Sequence, residues 1–237
     1  MIRALRQAAR TKLARRLGVP SIQFSLERLR QNGFSPKQIF DVGAYQGDFA
    51  QLCFQLWPET SVTCFEVLPE PSKRILTMVD TYKNLQLISC LLGAEIQSEV
   101  QLNIAETASS VLTEQAHPQT RKATFPMRTI DDVVKHDLQG RAPEFLKMDV
   151  QGYELEVLKG ATRSLSSFKV ILAEVNLLDL YDGVPLLADF VSWLSDRGWV
   201  AYDICGLIRR PLDRALWQAD MIFVPETSRF REKKQYA

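Results

Sequence analysis

The chain has 237 residues, of which 46% are hydrophobic and 24% are charged, and its formal net charge is +1. This is the composition of an ordinary globular protein, and it excludes a disordered chain, a collagen-like fibre and a coiled coil. A nearly neutral chain is also not drawn to nucleic acid by its overall charge.

The N-terminus predicts a basic amphipathic helix. Apolar side chains recur at helical spacing from Ile2 to Leu17, and a second helix is expected over 21–31. The first helix could pack on the domain or on a second subunit of a homodimer, dock on a membrane surface, or serve as a mitochondrial presequence. We divide the chain into a basic helical extension, 1–36, and a main domain, 37–237. Six basic residues and no acidic residue occupy positions 1–16: Arg3, Arg6, Arg10, Lys12, Arg15 and Arg16.

The cysteines and the apolar runs are used to predict the cellular location of the protein. The four cysteines are widely spaced, with no CxxC pair, which argues against a zinc site and a disulfide scaffold and predicts free thiols. No apolar run approaches the roughly 18 residues of a membrane helix, and the N-terminus lacks the apolar core of a secretory signal. We therefore expect a cytoplasmic protein, with peripheral membrane contact left open by the basic helix.

From residue 37 onward, short apolar runs alternate with helical stretches, which is typical of an α/β fold with a parallel sheet covered by helices. The segment 98–128 predicts an insertion with an additional strand and a polar loop. Strands are expected at 37–42, 61–66, 85–90, 144–149, 169–175, 199–204 and 220–224. Helices are expected near 47–56, 70–81, 152–159 and 185–197.

The end of the first predicted strand has the pattern of a ligand-binding loop. Asp41 is followed by Gly43 and Gly47, whose small size lets a ligand approach the backbone at the carboxyl end of the strand. The spacing is GxxxG and not the GxGxxG of a dinucleotide site. The Asp41 carboxylate would repel a pyrophosphate but suit a cation such as S-adenosylmethionine. A plain strand-to-helix turn remains the alternative.

Two further acidic residues end predicted strands. Glu66 ends the second strand, where a carboxylate can accept both ribose hydroxyls of a nucleoside. This feature does not separate a nicotinamide dinucleotide from S-adenosylmethionine. Asp149 ends the central strand in FLKMDVQGYE, just before a turn at Gly152.

Together these motifs resemble the FkbM family of S-adenosylmethionine-dependent methyltransferases. The resemblance implies a Rossmann-like class I fold: seven mostly parallel strands, helices on both faces and an antiparallel final strand. It also implies an O-methyltransferase that acts on a hydroxyl of a sugar, a glycan or a complex natural product. A catalytically silent binding module that recruits partners is the alternative. The matching segments, over about 37–200, are DVGAYQGDFA, CFEVLPEP, ASSVL, RTIDDVV, FLKMDVQGYELEVLKGA and ILAEV.

The resemblance also implies site roles. Glu66 would hold the ribose, the segment around Leu91 would touch the adenine, and Asp149 would lie near the sulfonium. The first loop would line the methionine part of the cofactor, although its Tyr45 replaces the asparagine often seen in the family. The expected cofactor-binding residues are Asp41, Gly43, Ala44, Tyr45, Gly47, Glu66, Val67, Leu91, Ser109, Ser110 and Asp149.

A sugar hydroxyl is a weak nucleophile, so a base or a metal must take or loosen its proton. Asp149 is the first candidate for the catalytic base and Glu174, at the next strand end, is the second. Asp149, Glu174 and Asn176 also resemble the magnesium site of catechol O-methyltransferases. Magnesium is therefore possible but not favoured.

Overall fold

The computed structural model describes residues 13–105, 108–115 and 121–235. The predicted amphipathic helix lies mostly in 1–12, outside these residues, and stays a prediction. Residues 13–16 are helical.

The described chain forms a sheet with helices on both faces. The strands are β1 (Gln38–Val42), β2 (Ser61–Phe65), β3 (Leu85–Ile88), β4 (Leu91–Leu92), β5 (Gln97–Ile104), β6 (Arg121–Arg128), β7 (Phe145–Met148), β8 (Val170–Asn176), β9 (Trp199–Arg209) and β10 (Leu216–Pro225). The helices are α1 (Ile22–Gln31), α2 (Asp48–Leu56), α3 (Pro69–Val79), α4 (Ile130–His136), α5 (Glu154–Lys159) and α6 (Leu187–Ser195).

Seven strands make the main sheet in the order β3-β2-β1-β7-β8-β10-β9. The first five are parallel, and β10 runs antiparallel to both β8 and β9. This confirms the predicted α/β fold of the Rossmann-like class I methyltransferase type, with all seven predicted strands present. The two last strands are longer than the sequence predicted, because they continue as a hairpin beyond their apolar segments.

The central strands are apolar throughout because both faces of the sheet are covered. Every residue of β7 and β8 is buried. One core packs between the sheet and α4, α5 and α6, and another between the sheet and α1, α2 and α3. Leu26, Leu29 and Phe34 belong to the second core. The predicted N-terminal extension therefore contributes packing to the main domain.

The predicted insertion is present as a small second sheet. In it, β4 pairs with β6 in parallel and β5 pairs with β6 antiparallel. The chain after β5 returns to it through the pair Asn103 and Ser110. This arrangement places the insertion beside the carboxyl ends of the central strands.

All four cysteines are buried free thiols, as the sequence predicted. Within the described ranges, no helix has the length and apolar character needed to cross a membrane.

Candidate active site

The carboxyl ends of β1, β2 and β7 open into a cleft of about 210 Å³. The cleft lies where the strand order reverses between β1 and β7, which is where open α/β sheets bind ligands. Its wall consists of Val42, Gly43, Tyr45, Phe65, Glu66, Val67, Leu68, Cys90, Leu91, Leu92, Leu102, Ser109, Val111, Asp149, Val150, Gln151 and Tyr153.

The first loop is locked between two strand ends. Gly43 has a φ of 70°, and a Cβ added there would lie 1.9 Å from the carbonyl oxygen of Asp149. The backbone N–H groups of Gly43 and Ala44 both donate to the carbonyl of Phe65, at 3.2 and 3.1 Å. Only glycine fits this approach, and so Gly43 brings the ends of β1 and β7 together.

The other residues of this loop either line the cleft or lie behind its wall. Tyr45, with a φ of 46°, faces the cleft and is partly exposed. Ala44 is buried behind it, and Gly47 begins α2 in a left-handed conformation against Met78. Neither Ala44 nor Gly47 belongs to the wall.

Glu66 fastens this loop from the end of β2. Its Oε2 accepts the backbone N–H of Tyr45 at 3.0 Å, and its Oε1 accepts that of Leu68 at 2.8 Å. Burial raises the pKa of Glu66, and these backbone hydrogen bonds oppose the rise. A carboxylate has about four lone-pair positions, so Glu66 keeps capacity to accept hydroxyl groups in the cleft.

The opposite end of the cleft is apolar. Cys90, Leu91, Leu92 and Leu102 line it. The insertion supplies the upper wall through Ser109, while Ser110 is buried behind it. Leu91 and Ser109 therefore line the cleft, whereas Ser110 does not, and their contact with a cofactor stays a prediction.

Asp41 lies under the loop and not in the wall, contrary to the expectation that it lines the methionine part of a cofactor. It is fully buried, and its Oδ1 lies 3.0 Å from Nζ of Lys147. The same Nζ donates to the carbonyl of Gly43 at 2.8 Å. Burial disfavours the lysine charge, but the carboxylates of Asp41 and Asp149 outweigh it and raise the pKa of Lys147. The protonated amine holds Asp41 and the loop in place.

Asp149 is the carboxylate that the cleft exposes at the end of β7, and 42% of its side chain is accessible. Its Oδ1 accepts the side-chain N–H of Gln151 at 2.9 Å. Its Oδ2 lies 4.0 Å from Nζ of Lys147. Both oxygens are thus contacted from behind, and the carboxylate faces the space a ligand would occupy.

Glu174 is buried and absent from the wall, so the structure does not place it as a second base. Its Oε1 accepts Nε2 of Gln151 at 2.9 Å and Nε2 of Gln218 at 2.6 Å. Burial, followed by the charges of Asp149 and Glu154, raises the pKa of Glu174 to about 10. Glu174 is therefore held behind the wall by two side-chain amides, away from the space a substrate would occupy.

The suggested magnesium ligands do not fit a metal ion. Gln151 Nε2 bridges Asp149 and Glu174, and Gln218 Nε2 bridges Glu174 and Asn176 at 2.6 and 3.3 Å. Amide hydrogens therefore occupy the positions between these oxygens where a cation would bind. Among the residues that the structure describes, no group of three or more His, Cys, Asp or Glu could hold a metal.

The charge of the wall defines the kind of ligand it suits. Glu66 and Asp149 are acidic, and no Lys, Arg or His occurs among the described wall residues. A phosphate-bearing dinucleotide would meet two carboxylates and no cationic side chain. A nucleoside with a positively charged group fits the carboxylates at one end and the apolar surface at the other.

Sequence reasoning missed Lys147, Gln151 and Gln218. The sequence did mark Lys147, which is a charged residue inside the apolar run FLKM. In the sheet, Lys147 pairs in register with Asp41. Gln218 is brought to Asn176 by the antiparallel pairing of β10 with β8. No short motif reports such a pairing.

The strand order and the cleft define the class I methyltransferase fold, and two solved structures share it at low sequence identity. A candidate RNA methyltransferase from Pyrococcus horikoshii has a TM-score of 0.50 and 11% identity, covering 86% of this chain and 82% of its own. A candidate O-methyltransferase from Klebsiella pneumoniae has a TM-score of 0.50 and 9% identity, covering 86% and 78%.

The family follows from the sequence match. The Methyltransferase FkbM domain matches residues 41–200, and the chain belongs to this family. One curated relative is the hexuronic acid methyltransferase AglP of Haloferax volcanii, which is 27% identical over 154 residues. That match covers 64% of this chain and 61% of AglP, less than two thirds of its length.

Proposed function

We propose that this protein transfers a methyl group from S-adenosylmethionine to a hydroxyl oxygen of a sugar or glycan. The observation that carries the proposal is a cleft with two carboxylates, no cationic side chain among its described residues and an apolar end, at the strand ends of a methyltransferase fold. Family membership supports methyl transfer, and the relative that acts on hexuronic acid supports a sugar acceptor.

Each part of the cleft has a role in this proposal. Glu66 accepts the ribose hydroxyls, and the surface around Leu91 covers the adenine. Gly43 contributes backbone to the cleft wall beside the methionine part. S-adenosylmethionine, when bound, supplies an electrophilic methyl group.

Asp149 is the proposed catalytic residue. Its accessible carboxylate faces the cleft at the end of β7, so it can attract a positive centre and accept the proton of the acceptor hydroxyl. Lys147 and Gln151 hold this carboxylate from behind. Orientation of the two reactants in such a cleft can contribute roughly 7–11 kcal/mol to catalysis.

The proposal is tested by incubating the protein with methyl-tritiated S-adenosylmethionine and a glycan fraction from a cell extract. We expect protein-dependent label in the glycans that survives mild alkali, because methyl ethers are stable to alkali and methyl esters are not. Alkali-labile label would place the methyl group on a carboxylate. No label above the protein-free control, across neutral and acidic glycans, would contradict sugar methylation.

A further inference from the structure

Gln151 lies where the exposed carboxylate of the cleft meets the buried polar groups behind it. Its Nε2 is 2.9 Å from Oδ1 of Asp149 and 2.9 Å from Oε1 of Glu174. One side-chain amide therefore donates both of its hydrogens to carboxyl groups. Gln151 itself is buried, with a φ of 54°, a left-handed conformation that a non-glycine residue keeps only where its surroundings impose it.

The hydroxyl of Tyr181 fixes the direction of this amide. It donates to Oε1 of Gln151 at 3.2 Å. Burial, followed by nearby carboxylates, raises the pKa of Tyr181, so the hydroxyl stays a donor. A reversed amide would turn its oxygen toward the Asp149 carboxylate and lose that hydrogen bond. The observed direction gives the amide oxygen a donor in Tyr181 and the amide nitrogen an acceptor in Asp149.

The insertion reaches Gln151 by two routes. Ser110 Oγ donates to the backbone carbonyl of Gln151 at 2.7 Å. Tyr181 forms an isolated β-bridge with Glu114, which follows Ser110 in the insertion. The segment that covers the cleft therefore supports both the backbone and the side chain of Gln151.

Glu174 supplies the other end of the arrangement. Its Oε1 accepts the second amide hydrogen of Gln151 at 2.9 Å and Nε2 of Gln218 at 2.6 Å. Gln151 is therefore anchored on its buried side, and its amide also holds Asp149, the carboxyl group that faces the cleft.

We propose that Gln151 is a positioning residue that aims the Asp149 carboxylate at the positive centre of the bound cofactor. It acts through Asp149 and does not itself touch the reacting atoms. The inference rests on the proposed function, because it requires a cationic ligand in the cleft.

The test uses two ligands that differ by one methyl group and one positive charge. Isothermal titration calorimetry measures the affinities of the full chain for S-adenosylmethionine and for S-adenosylhomocysteine, without any acceptor. Gln151→Met removes the amide at similar side-chain length. We expect the ratio of the two affinities to shift against the cationic ligand by about tenfold, because a hydrogen bond to a charged group is lost.

Two further variants separate positioning from packing. Tyr181→Phe keeps Gln151 but removes the hydroxyl that donates to its amide oxygen. We expect the affinity ratio to shift in the same direction by about threefold. Gln38→Met removes a half-buried side-chain amide at the amino-terminal end of β1, away from the cleft, where it donates to Oγ1 of Thr63 at 3.0 Å. It is the matched control, and its affinity ratio should stay within about twofold of the wild-type ratio.

The outcomes distinguish this inference from the proposed function. An equal loss of affinity for both ligands in Gln151→Met would show a structural role only and overturn the inference. If Gln151→Met does not fold, an unchanged ratio in Tyr181→Phe overturns it instead. Wild-type protein that binds neither ligand would overturn the proposed function and the inference with it.

Discussion

The carboxylates in the wall of the cleft and those behind it stand at the same edge of the sheet but in different environments. Glu66 and Asp149 face open space and keep lone pairs for a ligand. Asp41 is paired with buried Lys147, and Glu174 is buried and held by the amides of Gln151 and Gln218. An acidic residue at a strand end is therefore not by itself a ligand contact. Burial and the nearest hydrogen-bond donor decide whether the carboxyl group can contact a ligand or only supports the residues around it.

The largest expected effect separates Asp149 from its buried neighbours. Asp149→Asn keeps the shape and the contact with Gln151 but removes the charge that would accept the hydroxyl proton. Turnover in the glycan-labelling assay should fall by about 10²–10⁴-fold while binding of neutral S-adenosylhomocysteine changes little. Asp196→Asn, at an exposed residue that ends α6 outside the cleft, is the control. Near-wild-type turnover in Asp149→Asn would place the chemistry elsewhere.

Breaking the buried pair should act on stability. Lys147→Met leaves the Asp41 carboxylate buried without its cation, and we expect the free energy of unfolding in urea to fall by about 3–5 kcal/mol. The double variant Asp41→Asn/Lys147→Met removes both charges and should recover most of this loss. A double variant no more stable than Lys147→Met would refute a role for the ion pair.

Removing Glu66 should weaken ligand binding more than folding. Glu66→Ala deletes a charged acceptor, and its affinity for S-adenosylhomocysteine by calorimetry should fall by about 1–3 kcal/mol. Glu70→Ala changes an exposed residue on the adjacent α3 and should leave the affinity unchanged. Equal losses in the two variants would mean that Glu66 does not contact the ligand.

At Glu174 we predict the direction of a pH dependence. Because its folded pKa is raised to about 10, the unfolded chain loses this proton first, and the contribution of Glu174 to stability falls as pH rises above the ordinary value of 4.5. Glu174→Gln removes this dependence. Between pH 5 and pH 9, urea unfolding should show the free energy of unfolding of the variant rising relative to that of the wild type. A difference between the two free energies that does not change with pH would argue against a raised pKa at Glu174.

The fold was predictable because buried parallel strands consist of nearly continuous apolar residues. Every residue of β7 and β8 is buried. The edge that carries the site followed from the acids that end these runs. Which acids face the cleft did not follow. Asp41 is turned into the protein by the register that sets it against Lys147. Glu174 is held behind the wall by Gln218, which lies 44 residues later in the chain on the antiparallel strand β10.

The central claim is that the cleft accepts a cationic nucleoside and not a dinucleotide. The direct measurement is calorimetric titration of the full chain with S-adenosylmethionine, S-adenosylhomocysteine and NAD⁺ under one set of conditions. We predict one-to-one binding of both sulfur-containing nucleosides and no heat of binding with NAD⁺, because the wall offers carboxylates and no cationic side chain among its described residues. Tight binding of NAD⁺ with no response to S-adenosylhomocysteine would contradict the account.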